Sequence, residues 1–188
     1  MQIRIRYNAP VVLTYALIAS ALLLFDQITG AGLTAAWFTV PGGGAFDWGN
    51  PVMYVRLVTH VIGHVNWQHL LGNFAFILLL GPILEEKYGS VGLFGMMIAT
   101  AVITGILNVL LFSTGLLGAS GIVFMMILLI SFTNIRNGEI PLTFILVLIL
   151  YLVSEILKAF RTDEISQFAH IAGGFCGSLF GFLKPRRR

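Results

Sequence analysis

From Tyr88 to Ile135 the chain carries no Asp, Glu, Lys, Arg or His. An uncharged stretch of that length is too apolar to serve as both surface and core of a soluble domain. About 20 apolar residues cross a hydrocarbon core roughly 30 Å thick, so this stretch is long enough to cross a bilayer twice. Its one interruption, Ser113 to Ser120, is the natural turn between the crossings. The remaining composition agrees, with 57% hydrophobic and 10% charged residues and a mean hydropathy of +0.92, where soluble domains carry roughly 25% charged residues.

The expected fold is an all-α integral membrane protein. Its 188 residues are expected to form a single membrane domain of about six spans, at 10–29, 67–85, 91–113, 119–135, 141–158 and 166–184, with no separate soluble domain. Arg4 and Arg6 before the first apolar run resemble the start of a signal sequence, and Ala19-Ser20-Ala21 is small enough for a cleavage site. Leu22 to Phe25 continue the apolar run beyond it, which favours an uncleaved span. In this arrangement Arg4, Arg6, Lys87, Arg136, Lys184, Arg186, Arg187 and Arg188 fall on the side of the termini, against Arg56, Lys158 and Arg161 on the other. The positive-inside tendency then makes both termini cytoplasmic. The net charge of +3 comes largely from the C-terminal basic run, which reads as an anchor against anionic lipid rather than a nucleic-acid patch. Cys176 is the only cysteine, so no intrachain disulfide can form and the redox compartment stays open.

Residues 30–66 are the longest connection. Trp37, Phe38, Phe46, Trp48 and Tyr54 suit a loop lying at the outer interface and partly embedded, with an ordinary folded external loop as the alternative.

The chemistry gathers in the later spans. The fourth span, from Ser120 to Asn134, is about fifteen residues or roughly 22 Å of helix, shorter than the hydrocarbon core. Ser120 is therefore expected several Å below the outer surface, reached through a depressed loop at 113–119 that lines a water-filled or protein-enclosed cavity. At a helix N-terminus, Ser120 also lies beside unpaired backbone N–H groups and the positive end of the helix dipole, half of an oxyanion hole. Gly118-Ala119-Ser120-Gly121 could equally be a small-residue packing patch. In the sixth span, Gly173 and Gly177 follow His170 at helical spacing, a face that lets another backbone approach and brings the imidazole near a serine on that partner. A structural interhelical hydrogen bond is the alternative for His170. His69 and Asn73, four apart, share a helical face, and both can donate to a developing negative oxygen. His60 and His64 could be read as two metal ligands, but no nearby carboxylate or thiolate completes the set, so no metal is expected there.

With these residues in place, the chain resembles a rhomboid intramembrane serine protease of the minimal six-span type. The matching elements are Thr59-His60, His64, His69 with Asn73, Glu85 with Tyr88-Gly89, Gly118-x-Ser120-Gly121, and Ala169-His170 with Gly173 and Gly177. The resemblance implies Ser120 as nucleophile, His170 as general base, and His69, Asn73 and the Ser120 amide as oxyanion donors. It also implies peptide-bond cleavage in transmembrane substrates near the outer face, without metal or nucleotide, in a prokaryotic cytoplasmic membrane. Two positions depart from the family pattern: Val55 replaces the tryptophan that commonly precedes Arg56, and Phe124 replaces a tyrosine that packs on the catalytic histidine. No acid in the sixth span completes a triad, since Asp163 and Glu164 lie at its outer end and Glu155 reads as an interfacial carboxylate. A catalytically silent binder or escort of membrane proteins is the runner-up, and a transporter is disfavoured by the absence of a pseudo-repeat. The natural substrate, the residue preference at the cut and the oligomeric state are not legible.

Overall fold

The computed structural model describes residues 6–134 and 164–183, together with positions 142, 145, 146, 149, 150 and 153. The expected span at 141–158, with Glu155, and the expected basic termini lie almost wholly outside the described residues. Helix α1 runs Pro10–Thr29, α2 Leu33–Trp37, α3 Pro51–Thr59, α4 Trp67–Tyr88, α5 Ser90–Leu111, α6 Ser120–Asn134 and α7 Glu164–Leu183. A 3-10 turn occupies Gly43–Ala45, and the only extended pairing among the described residues is a bridge between Val40 and Leu116. Helices α1, α4 and α5, with 20, 22 and 22 residues, are long and apolar enough to cross a membrane, and α6 and α7 contain shorter apolar helices.

Local chemistry sets the helix limits. Pro10 opens α1, where its missing N–H costs nothing, and the next two amides, of Val11 and Val12, donate to the buried Glu85 carboxylate at 2.9 and 3.1 Å. Ser90 Oγ donates to the same carboxylate at 2.7 Å. One acid thus caps α1, with its charge at the positive end of the helix dipole, and ties it to the α4–α5 turn. Asn66 caps α4 by accepting from the His69 amide at 2.8 Å, and Asn50 caps α3 by accepting from Val52.

The layering follows from which helix has no lipid face. Every residue from Gly121 to Ile130 except the half-buried Leu128 is buried, so α6 is the central helix, and this enclosed stretch is apolar all round as an enclosed helix must be. Helix α1 lies at the periphery, exposing Leu17, Ile18, Leu24, Phe25 and Ile28 while burying Val12, Ala16, Ala19 and Leu23. The segment 30–66 is folded rather than loose. Arg56 donates to the Ala36 carbonyl, and Thr59 Oγ1 to the Trp37 carbonyl at 2.6 Å, so Arg56 ties α3 to α2 even with Val55 before it. Phe46 is buried against Trp48 and Tyr54, which remain exposed.

Candidate active site

Ser120 is the first residue of α6 and half-buried, between buried Ala119 and Gly121. The backbone leading to it is held at several points. The Gly118 amide donates to the His60 carbonyl at 2.9 Å, Val40 and Leu116 exchange amide–carbonyl bonds at 3.0 and 2.8 Å, and the Gly43 amide reaches the Phe112 carbonyl at 2.9 Å. Asn108 Nδ2 donates to the Thr114 carbonyl at 3.1 Å. Gly118 has φ +111°, and a Cβ built there would lie 2.6 and 2.7 Å from His69 Cε1 and Nε2. Only glycine accepts that backbone and leaves space for the imidazole. The segment 112–119 is therefore pinned by the long connection 30–66 and by α5, and it brings Gly118, two residues before Ser120, against His69.

Helix α7 closes on the other side of Ser120. A Cβ on Gly173 would lie 2.0 Å from the Gly121 carbonyl oxygen, and one on Gly177 would lie 2.2 Å from that of Met125. The two helices thus touch backbone to backbone along the glycine face. That contact seats the buried His170 ring on Phe124, with centroids 4.7 Å apart and planes 11° apart. The Ala169 carbonyl oxygen lies 3.4 Å from a Cβ placed on Gly121, which puts the Ala169-His170 pair alongside the first turn of α6.

The remaining histidines form the floor. His64 and His69 meet edge to face with centroids 5.0 Å apart. His64 Nδ1 lies 3.0 Å from the Ile62 carbonyl oxygen, and its Nε2 lies 3.1 Å from Asn73 Nδ2. His60 Nδ1 lies 3.3 Å from the Arg56 carbonyl oxygen and its Nε2 lies 3.4 Å from Thr104 Oγ1. Both nitrogens of His60 and His64 are thus engaged by protein groups. The two residues lie at the end of α3 and in the turn after it, not on one helical face. Burial pushes both rings down to about 4, and for His64 the neighbouring His69 adds to the shift. Both are therefore neutral at physiological pH.

The structure brings together His69 with Gly118, His64 with His69 and Asn73, Phe124 with His170, and Gly173 with Gly121. Sequence reasoning missed Thr104, Asn108, Val40 and the His60 carbonyl as parts of this framework. A single polar residue in an apolar helix, or a carbonyl group, leaves no periodic signal. Chemically, the arrangement offers a hydroxyl at a helix N-terminus, an imidazole on the helix packed against it, and N–H donors from a histidine and an amide.

The family model described as the Rhomboid domain matches residues 51–187, from the start of α3 onward. The chain belongs to the rhomboid family. Among curated rhomboids it is similar to the rhomboid protease GlpG of Haemophilus influenzae, 24% identical over 136 residues that cover 71% of each chain. It is 30% identical over 150 residues to RHOMBOID-like protein 7 of Arabidopsis thaliana, covering 74% of this chain and 47% of that protein. It is 33% identical over 144 residues to rhomboid-related protein 1 of Caenorhabditis elegans, covering 68% of this chain and 39% of that one. The chain thus spans less than half the length of these two relatives. The rhomboid match contains Ser120, His170, His69, Asn73 and His64, whereas α1, α2 and Val40 precede it; α1 is joined to it through Glu85 and through the Tyr15 hydroxyl, which donates to the Val61 carbonyl at 2.5 Å, and α2 through Arg56 and Thr59.

Proposed function

We propose that this rhomboid is an intramembrane serine endopeptidase that cleaves transmembrane protein substrates near the outer membrane face. Ser120 Oγ attacks the carbonyl carbon of the scissile peptide while His170 takes its proton. The negative oxygen so formed is held by the Ser120 amide, His69 and Asn73. His170 then gives its proton to the departing amine, leaving an acyl ester on Ser120 that water hydrolyses with His170 again as base. Phe124 orients the imidazole by stacking in place of a third polar residue. The mechanism uses no metal or nucleotide.

The observation that carries this reading is the packing of Gly173 against Gly121 together with the Phe124–His170 stack. Such contact sets the histidine beside the first turn of the helix that Ser120 begins. The proposal includes six spans, a first loop partly embedded at the outer interface, and both termini on the cytoplasmic side of a prokaryotic membrane. The short α6 supports access from outside: its 15 residues reach roughly 22 Å, so a helix ending at the cytoplasmic face starts below the outer surface.

The test is cleavage of a helix-destabilised transmembrane reporter in liposomes, with labelling by a fluorophosphonate probe. Wild type should cleave and label, and chelators should leave the rate unchanged. Ser120→Ala and His170→Ala should each abolish cleavage while remaining folded and inserted, and their losses should not add because the two act as one unit. Labelling of Ser120→Ala, or full activity without His170, would overturn the mechanism. A folded wild type that neither labels nor cleaves would identify a silent membrane-protein binder instead.

A further inference from the structure

His64 is 1% exposed and Asn73 6% exposed, yet their side chains meet through polar atoms, and the chemistry of that meeting fixes more than packing. The Ile62 carbonyl oxygen, 3.0 Å from His64 Nδ1, can only accept, so Nδ1 carries the proton. Burial keeps the ring neutral, so Nε2 holds only a lone pair. The Asn73 group 3.1 Å from Nε2 must therefore be its Nδ2 amide, donating. With the amide turned over, an oxygen lone pair would face a nitrogen lone pair and the buried ring nitrogen would lose its only donor.

We infer that His64 is a positioning residue for Asn73: its Nε2 takes one N–H of the Asn73 amide and so fixes which end of that amide serves the oxyanion, leaving the second N–H of the same nitrogen for the substrate. The inference rests on the reading of Asn73 as an oxyanion donor. His64 touches no reacting atom. The chain of control runs from the Ile62 carbonyl through the imidazole tautomer to the amide, across residues at the turn entering α4 and one turn inside it.

The experiment measures kcat and KM for reporter cleavage by the full chain in liposomes, with thermal unfolding as the check on folding. The variants are Asn73→Ala, His64→Leu, His64→Gln, and the double His64→Leu/Asn73→Ala. Removing one oxyanion donor costs about 10²–10³ in rate, so Asn73→Ala should lower kcat on that order with KM unchanged. His64→Leu, which fills the space without an acceptor, should lower kcat at least about tenfold at unchanged KM, and the double variant should be no slower than Asn73→Ala alone. His64→Gln places an amide oxygen where Nε2 was and should recover most of the rate lost in His64→Leu. Losses that multiply in the double variant, wild-type kcat in His64→Leu, or a folded His64→Gln as slow as Asn73→Ala would each overturn the positioning role while leaving Asn73 as a donor. Wild-type kcat in Asn73→Ala would instead remove the oxyanion reading and this inference with it.

Discussion

On its α7 side, Ser120 is bounded by two backbones in van der Waals contact, with Gly173 against Gly121 and Gly177 against Met125. On its loop side it is bounded by hydrogen bonds, from the Gly118 amide to His60, between Leu116 and Val40, and from Asn108 to Thr114. The two sides fail differently. Repulsion between backbones rises steeply with any added atom, so the glycine face tolerates almost no substitution. A hydrogen-bonded framework loses about 1 kcal/mol for one missing member, but the buried His60 and His64 rings lie beside it, so this side also responds to pH. The lesson is that the helix bearing the histidine is placed by shape, whereas the loop bearing the serine is placed by polar pairing.

Breaking the shape-held side should have the largest effect. Gly173→Val must push α6 and α7 apart, since even a Cβ would lie 2.0 Å from the Gly121 carbonyl oxygen. Overpacking of this kind costs about 1–3 kcal/mol or more, and the shift carries His170 away from the first turn of α6. Cleavage and fluorophosphonate labelling should fall to background with a lowered Tm. A stable, fully active Gly173→Val would show that the helices are not in backbone contact.

A smaller loss is expected from the polar side. Gly118→Ala forces a side chain onto φ +111° and into the His69 ring. Backbone strain of this type costs about 1–3 kcal/mol; expressed in the barrier, that is a rate loss of about fivefold to 150-fold. Because the strain is confined to the loop, Tm should move less than in Gly173→Val. The reverse order of Tm shifts would contradict the division between the two sides.

The polar side also answers to pH. Burial holds the His60 and His64 rings down at about 4 in the fold, against about 6.5 in an unfolded chain. Between those values the unfolded state binds more protons, so stability rises with pH. It is fully present above about 6.5 and is lost as pH falls toward about 4. Thermal unfolding of Ser120→Ala from pH 7 to 4.5 should show this slope, and His64→Gln should make it shallower. A flat Tm across that range would mean that the rings are not held neutral by burial.

Phe124→Tyr should be the mildest change. It keeps the ring that stacks on His170 and adds one hydroxyl, with an expected effect on stability and on kcat/KM of less than about 1 kcal/mol. Collapse of this variant would mean that the stack leaves no space at the ring edge.

Parts of this framework were legible in the sequence. Helix α1 occupies the residues its apolar run marked, and α6 starts at Ser120, where the Gly-Ala-Ser-Gly run ends the preceding loop. The spacing of Gly173 and Gly177 after His170 indicated a face open to another backbone, and that face meets Gly121 and Met125. What was not legible is how the segments before Ser120 are joined. Val40 and Leu116, or His60 and Gly118, lie far apart in the chain, and backbone pairing between them depends on no particular side chain. Thr104, facing His60 from α5, gave no signal because one threonine in an apolar helix commonly bonds only its own preceding turn.

By itself the sequence determined the helical class and the lengths of the apolar segments, because lipid leaves a spanning backbone no partner but itself and sets the number of residues needed to cross. It also determined which positions carry no Cβ, and hence where helices can touch. Only the tertiary structure decided which helix meets which, that α6 is the enclosed one, that Phe124 lies flat on His170, and that His64 Nε2 lies against the Asn73 amide. Those outcomes depend on distance and direction between residues remote in the chain, and hydrogen bonds and close packing are decided by fractions of an ångström that no spacing along the sequence encodes.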